Sequence, residues 1–173
     1  MKEFLSFAAA ALVLAGCVRE KRAEVADLVD PMIGTGAHGH TFPGATTPFG
    51  MVQLSPDTGL EGWDWCSGYH YTDSVIIGFT HTHLSGTGRS DLMDVMLMPH
   101  SGAPKLSPEE YTSAFSHDDE VATPGYYKVL LKDHGVTAEL TATPRAGFHR
   151  YTFPADSAAN VILDLAHHYA TDS

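Results

Sequence analysis

The residues best suited to chemistry gather in a few places. Two His-x-His pairs, His38/His40 and His81/His83, have the composition of metal ligands, and Gly62-Trp63-Asp64-Trp65-Cys66-Ser67-Gly68-Tyr69-His70 holds both tryptophans and the only cysteine beyond Cys17. A catalytic zinc would need a third ligand beside a histidine pair and an open position. His70 or Asp91 are candidates for it, but no spacing selects either, and histidines bonded to loop carbonyls and threonines are the preferred reading. Cys66 with His70 four residues on has the elements of a thiolate nucleophile, yet activation needs a base placed in space. A small buried thiol under the tryptophans is preferred.

Carboxylates flank the aromatic stretch: Asp57, Glu61, Asp64, Asp91 and Asp94. Glycoside hydrolysis needs two carboxyl groups with separated pKa values. Asp64 could be such an acid, but as a group beside two indoles it reads better as an acceptor for a sugar hydroxyl or for the loop backbone. Gly59, Gly62 and Gly68 place the tryptophans in a loop and not in a strand interior. In an extended loop Trp63 and Trp65 would face one side and Asp64 the other. An indole is a flat apolar plate with a polar edge, suited to stacking on the C–H face of a sugar ring. One tryptophan is expected to pack on the fold and the other, Trp63, to face a ligand.

Gly34-Thr35-Gly36-Ala37-His38-Gly39 matches the dinucleotide-binding glycine pattern but lacks the strand before it and the helix after it that would hold a pyrophosphate. The formal net charge of -11 offers no basic patch, so nucleic acid is excluded as a partner. The N-terminus is an address: Lys2 precedes an apolar run from Phe4 to Ala15, too short to span a bilayer in the mature protein. Residues 1–16 read as a signal peptide. Leu14-Ala15-Gly16-Cys17 resembles the lipobox of bacterial lipoproteins, which makes Cys17 the lipidated N-terminus of an exported protein held at the membrane of the cell envelope. Cys66 would then be a single thiol, with no intrachain disulfide framework.

Residues 17–26 are charged and read as a tether, and residues 27–173 as one domain. From Leu28 to Gly50, glycine, proline and threonine dictate a long shaped loop, which Met32, Ile33, Phe42 and Phe49 are expected to pack down. Strand signals follow at Met51–Leu54, Val75–Leu84, Val95–Met98, Tyr126–Leu131, Val136–Thr143, Phe148–Phe153 and Val161–Leu165. Asp133-His134-Gly135 is expected to be a three-residue hairpin loop with Gly135 at positive φ. Ser107–Tyr111 is the one capped helical turn. Many short strands and few helices predict an all-β antiparallel sandwich. The stop at Asp172-Ser173, without a closing turn, reads as a piece of a longer protein.

Several segments together resemble the N-terminal domain of glycoside hydrolase family 92, the calcium-dependent exo-acting α-mannosidases. They are Val29-Asp30-Pro31-Met32-Ile33-Gly34-Thr35, Phe42-Pro43-Gly44-Ala45, Pro48-Phe49-Gly50-Met51-Val52-Gln53-Leu54-Ser55-Pro56-Asp57, Gly62-Trp63-Asp64, Ser67-Gly68-Tyr69-His70-Tyr71 and Phe79-Thr80-His81-Thr82-His83-Leu84-Ser85-Gly86. The resemblance implies a β-sandwich that packs on a C-terminal (α/α)6 barrel, with the sugar pocket between them. It places the general acid, the base and most calcium ligands in the barrel, so no catalytic residue and no metal ligand is assigned in these residues. Trp63 would touch sugar and Gly44 would allow close backbone approach; Asp64, on the reading of the residues above, would take a hydroxyl. The implied reaction is inverting hydrolysis of terminal mannose, α-1,2-linked, from glycans, and this piece alone should be inactive. Alternatives are a lipoprotein module that binds glycans without cleaving them and, more remotely, a zinc hydrolase using the histidine pairs.

Overall fold

A computed structural model describes residues 24–155 and 158–169. The signal peptide and Cys17 lie outside the described residues. In chain order the strands are β1 (Ala45–Thr46), β2 (Gln53–Asp57), β3 (Val75–Ile76), β4 (Gly78–Thr80), β5 (Met96–Ser101), β6 (Ser113–Ala114), β7 (Glu120–Thr123), β8 (Tyr126–Leu131), β9 (Val136–Ala142), β10 (Gly147–Thr152) and β11 (Ala159–Asp164). They form a five-stranded sheet ordered β1-β2-β4-β5-β11, a four-stranded meander β10-β9-β8-β7 and a two-stranded β3-β6 ribbon, with antiparallel pairing throughout. The two larger sheets pack as a sandwich, β1, β2 and β5 against β9. The expected all-β antiparallel sandwich is borne out.

The meander follows from period-two patterning. Tyr127, Val129 and Leu131 of β8 and Val136, Ala138 and Leu140 of β9 point inward and are buried, while their neighbours are more exposed. They meet Leu54, Phe79, Met96 and Met98 of the other sheet in one core, each large apolar side chain contributing about 1.5–3 kcal/mol by leaving water. Gly135 takes φ 62° as expected. The hairpin loop runs from Lys132 to Gly135, one residue longer than expected, because Leu131 pairs with Val136.

Elsewhere the expectations need correction. The Val75–Leu84 run breaks at Ile77 into strands of two different sheets, and Ile77 N–H instead donates to Asp57 O at 2.8 Å. Gly78 sits where a Cβ would lie 2.0 Å from Met96 Sδ, so a larger residue there would force the Met96 side chain out of its place in the core. The helical turn α1 (Pro108–Tyr111) forms with proline in its first turn, but the Ser107 hydroxyl donates to the Glu109 carboxylate and makes no backbone cap. In the long loop Met32 packs on the core, whereas Ile33 and Phe49 are exposed and do not hold the loop down.

Leu54 of β2 enters the core, so Asp57, three residues on, faces the opposite side of its sheet. Its carboxylate is wholly buried, with His83 Nε2 2.7 Å from Oδ1 and His167 Nε2 2.9 Å from Oδ2. The outer ring nitrogen of His83 is 2.7 Å from Gln53 O, so both its nitrogens face acceptors. Burial pushes the Asp57 carboxyl up, but the charge and hydrogen bonds of His83 and His167 outweigh it and leave it below its ordinary value.

The stability that depressed carboxyl supplies is fully present above its unfolded pKa of about 3.9 and drains as pH falls through the lower folded value. Asp57→Ala, which strands two buried imidazoles, should cost about 3–5 kcal/mol in urea denaturation at neutral pH. Asp57→Asn should flatten the acid limb of the stability–pH curve. An unchanged acid limb would remove Asp57 as its source.

Candidate functional site

The GWDWCSGYH stretch crosses from surface to core. Gly62 at φ 90° turns the chain into a short 3-10 helix, Trp63–Trp65, in which Cys66 N–H reaches Trp63 O at 3.3 Å. The stretch is therefore not extended. Successive side chains in a three-residue turn splay about 120° apart, so Trp63 and Trp65 do not share a face as expected. Trp65 folds inward: its indole N–H donates to Asp73 at 2.7 Å, and a Cβ on Gly59 would lie 2.2 Å from the indole. Trp63 is 59% exposed, with its N–H on Gly88 O at 3.0 Å. One tryptophan packs and the other faces outward, as anticipated. From Cys66 to His70 the chain is buried, and Tyr69 enters the core to donate to Glu120 at 3.0 Å. The glycines keep only the first half of the stretch out of the core.

The glycine-rich loop lies against this turn. His70 Nε2 is 3.2 Å from Ala37 O, Tyr71 N–H donates to Thr35 O at 2.9 Å, and Ser67 donates to Thr41 O at 3.2 Å. A Cβ on Gly39 would lie 2.2 Å from Gly34 O, so the glycines of the dinucleotide-like pattern serve the loop's own folding. Ala37 and His40 take positive φ, 50° and 53°. This path delivers both imidazoles to the turn. His38 Nδ1 is 2.6 Å from Asp64 Oδ1, His40 Nε2 is 3.6 Å from the same oxygen, and the two rings sit 5.0 and 4.4 Å from the Trp63 ring. The Asp64 carboxyl is drawn below its ordinary range, foremost by the His38 hydrogen bond. A general acid needs the opposite shift, so the acceptor reading of Asp64 is the one its surroundings support.

The third partner of the first histidine pair is thus Asp64, which sequence reasoning did not pair with it. His70 is committed to Thr72 Oγ1 and Ala37 O, and Asp91 caps Leu92 N–H. The second pair is not a pair at all, because β4 ends at Thr80. His83 goes to Asp57, while His81 donates from Nδ1 to Val95 O at 2.8 Å and accepts from His149 at 3.1 Å. Tyr151 donates to the other His149 nitrogen at 2.6 Å, and burial, then His81, holds His149 down at about 4. Cys66 is buried, and burial pushes its thiol up, away from thiolate chemistry.

Among the described residues, the His, Cys, Asp and Glu groups whose donor atoms converge are His38, His40 and Asp64. Two nitrogens and one carboxylate do not fit calcium, which takes six to eight oxygens. Gly44 is buried where a Cβ would lie 2.2 Å from Leu54 O, so it lets β1 approach β2. It lines a groove of about 530 Å³ with Phe42, Gln53 and Ser85, and neither Trp63 nor Asp64 takes part in that groove.

Residues 28–173 match the model of the glycosyl hydrolase family 92 N-terminal domain. A family 92 α-mannosidase of Bacteroides thetaiotaomicron, solved with mannoimidazole, is similar at 42% identity and TM-score 0.82, over 85% of this chain and 20% of that one. A family 92 inverting mannosidase of the same organism aligns at 36% identity and TM-score 0.72, over 84% of this chain and 20% of that one. A curated relative, an uncharacterized secreted glycosidase of Arthroderma benhamiae, is 32% identical over 155 residues, 82% of this chain and 20% of its own. The chain therefore spans about a fifth of the length of these relatives.

Gly88 is the hinge of the Trp63 arrangement. It has φ 59°, and a Cβ there would approach His40 Nδ1 to 3.1 Å and Trp63 Nε1 to 3.2 Å. Gly88→Ala should cost about 1–2 kcal/mol and shift Trp63 emission, measured in a Trp65→Phe background. An unchanged spectrum would mean that Gly88 does not seat the indole.

Proposed function

Because the chain belongs to glycosyl hydrolase family 92, we propose that it forms one wall of the sugar pocket of an exo-α-mannosidase that removes terminal α-1,2-linked mannose from glycans. The observation that carries this is Trp63, an exposed indole held by its edge on Gly88 O with the Asp64 carboxylate beside it. A ring fixed by its N–H can stack on the C–H face of a sugar without further ordering cost. Asp64, ionised, accepts a hydroxyl proton in hydrogen bonding. Gly44 belongs to this reading through the neighbouring groove that it lines.

The cutting groups of this proposal lie on a further domain. Inverting hydrolysis needs a carboxylic acid on the leaving oxygen and a carboxylate base on water at the opposite face, about 6.5–9.5 Å apart. The carboxylates near Trp63 do not serve: Asp57 is sealed between two histidines, and Asp64 is held ionised. Calcium likewise is assigned to that further domain, since the converging donors here are nitrogen-rich. Residues 1–173 alone are then inactive. The secreted description of the Arthroderma benhamiae relative supports export, and Cys17 supplies the lipid anchor in this reading.

In the whole enzyme, Trp63→Ala should lower kcat/KM on an α-1,2-mannobioside about tenfold, ~1.4 kcal/mol of transition-state binding; unchanged kinetics would remove its role. Saturable mannose binding by residues 1–173 with no activity in the whole protein would favour a glycan-binding module instead. Cys17→Ser should move the protein from the membrane to the soluble fraction, and retention at the membrane would refute the lipid anchor.

A further inference from the structure

We propose that His38, His40 and Asp64 form a binding site for a zinc-class divalent cation on the sandwich side of the Trp63 turn. Asp64 Oδ1 faces both imidazoles, 2.6 Å from His38 Nδ1 and 3.6 Å from His40 Nε2, and the three donor atoms lie within 4.8 Å of one another. A tetrahedral ion with bonds of about 2.1 Å holds its ligand atoms about 3.4 Å apart. The His40–Asp64 separation already matches that spacing. The His38 contact must open by less than about 1 Å, and its side chain, 68% exposed, is free to do so.

The independent pointer is His40 itself. Its ring is 95% buried, yet Nε2 has no hydrogen-bond partner, and 3.6 Å from Asp64 is too long for one. A buried imidazole nitrogen left unpaired costs about 1–3 kcal/mol. The ring stands edge-on to Trp63, with centroids 4.4 Å apart, on a backbone at φ 53°. An ion bound through Oδ1 would satisfy that nitrogen, complete a His2Asp set with a fourth position open beside exposed His38, and leave the second Asp64 oxygen for a hydroxyl. Two imidazoles and one carboxylate select zinc, cobalt or nickel over calcium or magnesium. The site does not depend on the mannosidase reading, since the ligands belong to this domain alone.

The test uses the full-length protein, stripped with chelator and titrated with Zn2+ or Co2+. Expected are one bound equivalent above the chelator-stripped His38→Ala variant, quenching of Trp63 emission by Co2+, and at least tenfold weaker binding in His38→Ala and in Asp64→Asn, with Ca2+ failing to compete. His38 is exposed, so its variant keeps the fold, and circular dichroism checks this. Binding that is equal in wild type and His38→Ala, or no retained zinc at micromolar concentration, would overturn the site. Mannosidase kinetics of Trp63→Ala read the sugar proposal separately, and neither outcome decides the other.

Discussion

A carboxylate buried out of reach of water must be neutralised by its neighbours, and at Asp57 those neighbours come from distant parts of the chain. His83 follows β4, and His167 lies beyond β11, 110 residues from Asp57 in sequence. Gly68 completes the cage: a Cβ there would stand 2.3 Å from Asp57 Oδ1, and its carbonyl receives the N–H groups of Thr58 and Gly59. Removing either histidine leaves one buried carboxylate oxygen without its imidazole partner. The ion cluster therefore does what a disulfide does in a secreted domain: it pins a loop and the 165–169 segment to one face of a sheet. Cys66, free and buried, contributes only packing to that task.

The site inherits its geometry from this cage. Gly68 is fixed beside Asp57, Trp65 N–H bonds Asp73, and Tyr169 OH donates to Gly62 O at 2.7 Å, so both ends of the Trp63–Trp65 turn are held. On the far side Tyr69 and Tyr127 share the buried Glu120 carboxylate, with His117 Nδ1 2.6 Å from it. With the backbone clamped between two buried carboxylates, the exposed indole needs only the Gly88 contact to stay in place. Rigidity of this kind suits a surface that meets a sugar, since a wall ordered before binding loses little entropy on contact.

The strands with clear alternation were legible in the sequence because β8 and β9 bury one face and β10 half-buries one, and period two follows directly. The two-residue strands β1 and β6 were not, because they exist only through partners elsewhere in the chain, and β3 was legible only as the start of one longer run. Trp63 as the outward indole was legible from its glycine neighbours and from family resemblance. The His38–Asp64 contact was not, since 26 residues separate the two and the loop is brought to the turn by long-range bonds such as Tyr71 N–H to Thr35 O and Ser67 to Thr41 O. The reading of His81 and His83 as neighbours in the Val75–Leu84 strand failed for a related reason: β4 ends early, and the two rings find separate acceptors, Val95 O for His81 and the buried Asp57 carboxylate for His83.

The histidines also separate by what their nitrogens meet. His70, His81, His83, His134, His149 and His167 each bond a carbonyl, hydroxyl, carboxylate or second imidazole inside the fold. His40 and His100 each keep a buried nitrogen without a partner among the described residues. The two are not equivalent. His100 lies beside the His134 ring at 4.4 Å, where burial and then His134 hold its protonation down, and Lys105 adds to that effect. Such surroundings repel a cation. His40 instead looks onto an ionised carboxylate that a second imidazole also approaches, so its surroundings attract one. The same unsatisfied nitrogen is a packing defect in the first case and half of a recognition surface in the second, and the sign of the neighbouring charge decides between them.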